Sequence, residues 1–407
     1  MQLSLNGATV KVKFRPLAGD AEQGRLYIQI IHERQVKLIS TPYIVNAAEW
    51  DSERGGFVAS GSAGRREELY RVNHSLQCHI GRVKAIISRL DKTMLFYNVG
   101  DIADECRSYV ARFRLFAFFE HRIGQLKLKN KIRTAQNYRS TMNSFKSFLH
   151  GEDIIIDLID ADMIERYEAF LQARRLRPNT TSFYMRVLRA VCNTAADEGA
   201  FVLPGIFRHV YTGVDKTEKR ALPLTVLRRI HSMDLAASPA LDYARDIFML
   251  SFFTRGMSFI DMAFILKTDL NNGYLTYSRH KTRQMLKLKW TAEMQRIIDK
   301  YPSNTSPYLF PILINPQSNL AYAYRNISYR INSSLKKIAV LAGYPESFTL
   351  YSARHSWASV ACTQGVPISV ISQGMGHDSE RTTRIYISSI DSSAIDRANS
   401  KVISSLF

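Results

Sequence analysis

Long apolar runs are absent from this chain. No stretch of about eighteen residues is apolar throughout, which excludes a conventional transmembrane helix. The first residues, Met1-Gln2-Leu3-Ser4-Leu5-Asn6, lack a basic start followed by an apolar core, so no secretory leader is expected. Both absences place the expected location in the cytoplasm, with no membrane partner. Cysteine is scarce. Cys78, Cys106, Cys192 and Cys362 are scattered without a CxxC pair, which argues against a disulfide framework and against a zinc site. Internal repeats and low-complexity tracts are missing too. Acid is in short supply: 36 Asp and Glu face 55 Lys and Arg, for a net charge of +19. A polyanion such as nucleic acid is the natural partner of such a surface, and a basic face that merely meets water is the plain alternative. What is present is ample core material. With 407 residues, 46% of them hydrophobic, two or three packed domains are expected.

Patterning divides the chain into blocks. Thr9 to Arg15 alternates polar and apolar, and Arg25–Ile31 and Gln35–Ser40 follow, so a small antiparallel sheet of three strands is predicted. Arg66 to Leu95 reads as one long helix. From Val99 to about Asp197 the apolar spacing turns helical. Ile102, Cys106, Tyr109 and Val110 mark one helix, and Tyr138, Met142, Phe145 and Phe148 another. Ile164, Tyr167, Phe170 and Leu171 mark a third, and Phe183, Val187, Leu188 and Val191 a fourth, for four or five in all. Thr134 and Asn179-Thr180 are candidate caps. Arg122, Lys127, Lys129, Lys131, Arg133, Arg139 and Lys146 follow one another with no acid between them, which suits phosphate contact or a solvated face. Thr212 to Leu222 is polar and charged and reads as a linker. A new helix starts between Pro223 and His231. One hairpin is predicted beyond it, with strands 274–278 and 285–288 around the loop Arg279-His280-Lys281-Thr282-Arg283-Gln284.

The chemistry is concentrated near the end. Arg354 lies in Thr349-Leu350-Tyr351-Ser352-Ala353-Arg354-His355-Ser356-Trp357-Ala358, His377 follows Gly374-Met375-Gly376, and Tyr386 follows Thr382-Thr383-Arg384-Ile385. Cleaving a phosphodiester without a metal makes three demands. Charge on the nonbridging oxygens needs fixed donors, best met by the planar fork of arginine. A nucleophile must attack in line. The leaving oxygen needs a proton. A tyrosine with pKa about 10 becomes a nucleophile once cations lower that value or a base takes its proton. Its ester with a DNA phosphate keeps the bond's energy, so a free hydroxyl of another strand can reverse the attack without ATP. No cofactor or metal is required. Taken singly the residues are ordinary: Tyr386 is one of 20 tyrosines, and His377 or Trp357 alone would be packing. Their joint order carries the reading.

These motifs resemble the catalytic domain of tyrosine recombinases, the phage-integrase family. The whole chain is similar to the long integrases of Bacteroides-type mobile elements. Ser258-Phe259-Ile260-Asp261-Met262-Ala263 and the box from Tyr351 to Trp357 suit that branch, and Trp50 with the strand pattern carries a weaker N-terminal likeness. The resemblance implies a multidomain, mainly α fold with small β-sheets. An arm-type DNA-binding domain (1–97, a three-stranded sheet plus helix) would precede a helical, SAM-like core-binding domain (98–211), a linker (212–222) and an α+β catalytic domain (223–407). It implies Tyr386 as nucleophile, Arg354 as the arginine gripping the scissile phosphate, His377 as the histidine of the Gly-His motif, and Lys281 as proton donor to the leaving 5′ oxygen. Tyr351 stands where the family has a histidine. Ser258 stands where its first arginine is expected, and Arg255, three residues earlier, is the candidate replacement, with Arg245 a remote second. His355 reads as support.

Implied partners are double-stranded DNA at core and arm sites, three further protomers in a homotetramer, and DNA-bending accessory proteins. Bound to DNA, the protein would be nucleoid-associated. DNA contacts are expected from Lys127, Lys129, Lys131, Arg133, Arg279 and Arg283, with Arg174, Arg175 and Arg177 as further candidates. Ser388 to Phe407 would dock on a neighbouring protomer or pack on its own domain. The implied function is integration or excision of a mobile element through a 3′-phosphotyrosine. The alternatives are an invertase or resolvase of the same chemistry, a catalytically silent DNA-binding relative, and, with no use for an arm domain, a type IB topoisomerase.

Overall fold

The computed structural model describes residues 8–58, 62–215, 221–301, 306–313, 320–384, 399–400 and 403–404. It is mainly helical, with small antiparallel sheets. The chain divides into two units, Met1–Lys216 and Thr217–Phe407.

The first unit opens with β1 (Thr9–Leu17), β2 (Asp20–His32) and β3 (Gln35–Asn46), antiparallel in that order. A two-residue turn joins β2 to β3. Glu33 and Arg34 both take positive φ there (47° and 63°), the backbone that lets a tight hairpin follow the strand twist. Alternation assigns the faces. Leu26, Ile28 and Ile30 are buried, with Val10, Val12 and Phe14 packed beside them. On the opposite face Lys11, Lys13 and Arg15 stand across from Gln29, Tyr27 and Arg25. The short pair β4 (Trp50–Asp51) and β5 (Gly56–Phe57) follows. Then comes α1 (Ala63–Thr93), the long helix expected from the sequence, opened by Ser62, whose hydroxyl accepts from the Arg65 amide at 3.4 Å. Its stripe of Leu69, Leu76, Val83, Ile87 and Leu90 closes this core. The next helix, α2 (Val99–Arg112), which sequence reading groups with those after it, buries Val99, Ile102 and Cys106 against the sheet and α1.

Four helices then build a second core: α3 (Leu115–Leu128), α4 (Ile132–Phe148), α5 (Ala161–Ala173) and α6 (Pro178–Asp197). Phe119, Phe145, Tyr167 and Leu188 fill it. The expected caps are not where the helices begin. Thr134 lies inside α4, and Asn179 and Thr180 lie inside the first turn of α6, because Pro178 presets the helical φ one position earlier. The Asn179 amide instead holds Asp215, donating to its carbonyl at 3.0 Å and accepting from its amide at 2.7 Å. One buried ion pair joins the two cores. Arg82 of α1 donates Nε to Asp157 at 2.7 Å, Tyr109 of α2 donates its hydroxyl to the same carboxylate at 2.8 Å, and the Phe201 amide donates to Tyr109 at 2.7 Å.

The second unit holds α7 (Leu224–Ser232), α8 (Pro239–Phe253), α9 (Phe259–Phe264), β6 (Leu270–Asn271), β7 (Tyr274–Ser278) and β8 (Met285–Lys289). It continues with α10 (Ala292–Asp299), α11 (Leu320–Leu341), α12 (Ser352–Thr363), α13 (Ile368–Met375) and α14 (Glu380–Arg384). β7 and β8 pair antiparallel as expected, Thr276 opposite Lys287, with β6 on the other edge. Leu275, Tyr277, Leu286 and Leu288 point inward, onto a core that includes Phe248, Leu335, Ile338 and Phe348. Among the described residues no helix is long and apolar enough to cross a membrane.

Candidate active site

Arg354 occupies the first turn of α12 and is 2% exposed. A buried guanidinium needs partners on its N–H groups. Nη1 donates to the Gly256 carbonyl at 2.7 Å, and Nη2 to the Met375 carbonyl at 2.6 Å and to His377 Nε2 at 2.8 Å. Three segments far apart in sequence thus meet on one side chain. Gly256 has to be glycine: its φ is +72°, and a Cβ there would sit 2.6 Å from the Arg354 Cα.

His377 follows α13, which ends on Gly376 in the left-handed conformation (φ +66°). Arginine only donates, so His377 Nε2 accepts and the ring proton sits on Nδ1, donated to Thr383 Oγ1 of α14 at 2.8 Å. Burial lowers the imidazole pKa to about 3, helped by the charges of Arg354, Arg279 and Lys281. At neutral pH His377 is therefore an uncharged acceptor.

The β7–β8 loop is fixed at both shoulders. Arg279 is buried and donates Nη1 to the Gly376 carbonyl, which Thr282 Oγ1 approaches at 3.5 Å. Expected among the DNA-contacting surface residues, Arg279 is instead a strut between the loop and His377, because its guanidinium reaches inward. The His280 amide donates to Asp261 Oδ1 at 2.8 Å, and Ser258 Oγ donates to Asp261 Oδ2 at 2.7 Å. Lys281 projects exposed between these anchors.

Ser258, at the start of α9, is thus turned to Asp261. Arg255 precedes Gly256, in a left-handed conformation with φ 62°, and Nη1 lies 3.4 Å from the Lys287 carbonyl of β8. A Cβ on Gly374 would lie 3.7 Å from Arg255 Cδ, so this side chain runs past α13 toward the same corner. Arg245 is elsewhere. It donates to Met233 O at 2.5 Å and to Asp246 at 2.9 Å and also pairs with Asp242, and among the described residues no hydrogen bond joins it to Arg354 or His377. Tyr351 sits at the start of α12, 49% exposed, its ring edge-on to His355 at 5.3 Å. Trp357 packs on Ala358, Ile371 and Met375. Tyr386 lies outside the described residues, two positions beyond the end of α14, as does most of Ser388 to Phe407.

Of the basic run, Arg139 is paired with Glu120 and Arg122 lies 3.8 Å from Glu198. Lys127, Lys129, Lys131 and Arg133 are exposed and form no ion pair among the described residues, and Arg283 is exposed as well. Arg174, Arg175 and Arg177 are exposed; Arg174 stacks over Phe170 at 5.4 Å. Sequence reasoning missed three residues that organise the site: Asp261, Thr383 and Arg279 in its role as strut. Asp261 had a signal, a carboxylate three residues after Ser258 at a helix start. Thr383 had none.

Two family models match the chain. The phage integrase SAM-like domain matches residues 114–204, and the phage integrase family matches residues 255–392. No curated protein matches in sequence. A lambda integrase dimer bound to a COC′ core site is 14% identical, with 89% of this chain and 92% of that chain covered and a TM-score of 0.54. The Tn1549 transposon integrase in complex with transposon right end DNA is also 14% identical, covering 71% of this chain and 99% of that one, with a TM-score of 0.54. A lambda integrase tetramer bound to a Holliday junction is 13% identical at a TM-score of 0.52, covering 89% and 92%. At these identities the likeness is one of fold.

Proposed function

Because the chain belongs to the phage integrase family, we propose that it is a site-specific tyrosine recombinase, cleaving and rejoining DNA through a 3′-phosphotyrosine to integrate or excise a mobile element. The observation that carries this reading is the buried Arg354–His377 pair, clamped by Gly256 and Met375. Two carbonyls and an imidazole fix the guanidinium plane before substrate arrives, so little reorganisation accompanies the growth of phosphate charge. Tyr386 releases its phenolic proton to solvent and attacks phosphorus; the new bond joins its oxygen to the 3′ phosphate, the bond from phosphorus to the 5′ oxygen breaks, and that oxygen leaves with a proton from Lys281. His377, kept neutral, takes part as an acceptor. Arg255 supplies the guanidinium that Ser258 cannot, and Tyr351 offers a phenol at the mouth of the site. Replacing Arg255 by Ala is expected to slow cleavage by about two to three orders of magnitude while DNA is still bound; unchanged cleavage would remove Arg255 from this role.

The outer face of the N-terminal sheet, with Lys11, Lys13, Arg15 and Arg25, suits arm-type DNA. The helical and catalytic domains clamp the core site, four protomers exchange strands, and DNA-bending proteins assist. Residues 388–407 serve assembly. The test is a nicked suicide duplex spanning the element's junction, mixed with the protein in EDTA, with covalent adduct read on a denaturing gel. Adduct from the wild type and none from Tyr386→Phe is the expected result. Ser258 and Tyr351 favour one second reading, a catalytically silent DNA-binding relative, and binding without adduct would select it.

A further inference from the structure

The turn between α3 and α4 combines features that a merely solvated face does not need. Leu128, at the end of α3, is 89% exposed, and Ile132, at the start of α4, is 45% exposed. Around them stand Lys127, Lys129, Lys131 and Arg133, exposed and without an ion pair among the described residues. The turn is built rather than loose. The Lys129 amide donates to Gln125 O at 3.1 Å, the Asn130 amide to Lys127 O at 2.9 Å and the Lys131 amide to Leu126 O at 2.8 Å, with Asn130 in the left-handed conformation (φ 55°) that closes a helix end. Lys131 and Arg133 also crowd the positive end of α4, where cations are disfavoured and an anion would relieve them. An apolar tip ringed by cations fits duplex DNA, which offers phosphates at the rims of its major groove and thymine methyl groups on the floor. A helical turn about 10–12 Å across matches a major groove about 12 Å wide.

We propose that the α3–α4 turn enters the major groove, where Leu128 packs on thymine methyl while Lys127, Lys129, Lys131 and Arg133 hold the flanking phosphates. This rests on the recombinase reading and adds an apolar sequence-reading contact to it. Leu128 is exposed, so Leu128→Ala leaves the fold intact.

The test begins by selecting a duplex from a random-sequence pool on the full-length chain. Binding of that duplex, made with thymine or with uracil, is then measured for wild type, Leu128→Ala and Lys129→Ala over a salt series. Leu128→Ala is expected to weaken binding of the thymine duplex about tenfold with an unchanged salt slope. Uracil should weaken the wild type similarly and the variant no further. Lys129→Ala should flatten the salt slope by about one charge on both duplexes. Wild-type affinity in Leu128→Ala, or an equal loss on both duplexes, overturns the proposal and leaves the recombinase reading standing. A wild-type chain that enriches no duplex overturns both.

Discussion

At the scale of single residues, the site is a problem of holding a buried cation in place. Gly256 is the tightest point, since its backbone conformation and its contact with Arg354 both forbid a side chain. Gly256→Ala should cost at least about 1–2 kcal/mol from the left-handed backbone alone, with more from the clash, and differential scanning calorimetry should show a lowered transition for the catalytic unit. His377 gives a pH signature. Its folded pKa, about 3, lies below the unfolded value of 6.5. Between those values the unfolded chain binds the proton and the folded chain does not. This contribution to stability is therefore complete above pH 6.5 and is lost as pH falls toward 3. Acid unfolding of full-length His377→Gln should be flatter over that window than that of wild type; identical profiles would show that the imidazole is not held neutral.

At the scale of elements, the buried Arg82–Asp157 pair ties α1 to the segment before α5, with Tyr109 of α2 on the same carboxylate. Asp157→Ala strands a buried guanidinium and should cost about 3–5 kcal/mol, whereas Arg82→Met combined with Asp157→Leu should cost much less, since no charge is then left unpaired. Urea melts of the two variants give the comparison. Elements themselves were legible where periodicity decides them: α1 and the β7–β8 hairpin came out at nearly the expected residues, because an apolar stripe on a long helix and strict alternation leave one solution. Helix starts were not: Thr134 and Asn179 are good cap residues by type, but Thr134 falls inside α4, and Pro178 with the bonds to Asp215 settles the position of Asn179. Within the site the same division holds. Arg354 and His377 were legible from a short motif. The Ser258–Asp261 bond is local and had its signal, but the bond from the His280 amide to Asp261 depends on which segments fold against each other, which composition and spacing do not encode.

At the scale of the whole molecule, the chain folds as two units, and acid titration should separate them. Glu49, held near pKa 2 chiefly by hydrogen bonds from Arg65, belongs to the first unit and His377 to the second. Carboxylate stability is lost as pH falls through roughly 4 toward 2, below the window in which His377 first contributes. Amide exchange of the full chain at pH 5 should therefore already show loosening around α12 and α13 while the sheet and α1 remain protected. The hydrogen bonds of Arg354 have a further consequence, one of timing. Gly256 is translated well before Arg354, and Met375, His377 and Thr383 after it. A chain still on the ribosome can complete the two cores of its first unit long before it has a finished site. Until Thr383 has been made, the Arg354–His377 cluster lacks at least one of its anchors, so a chain cut short before that residue cannot hold the site in this geometry.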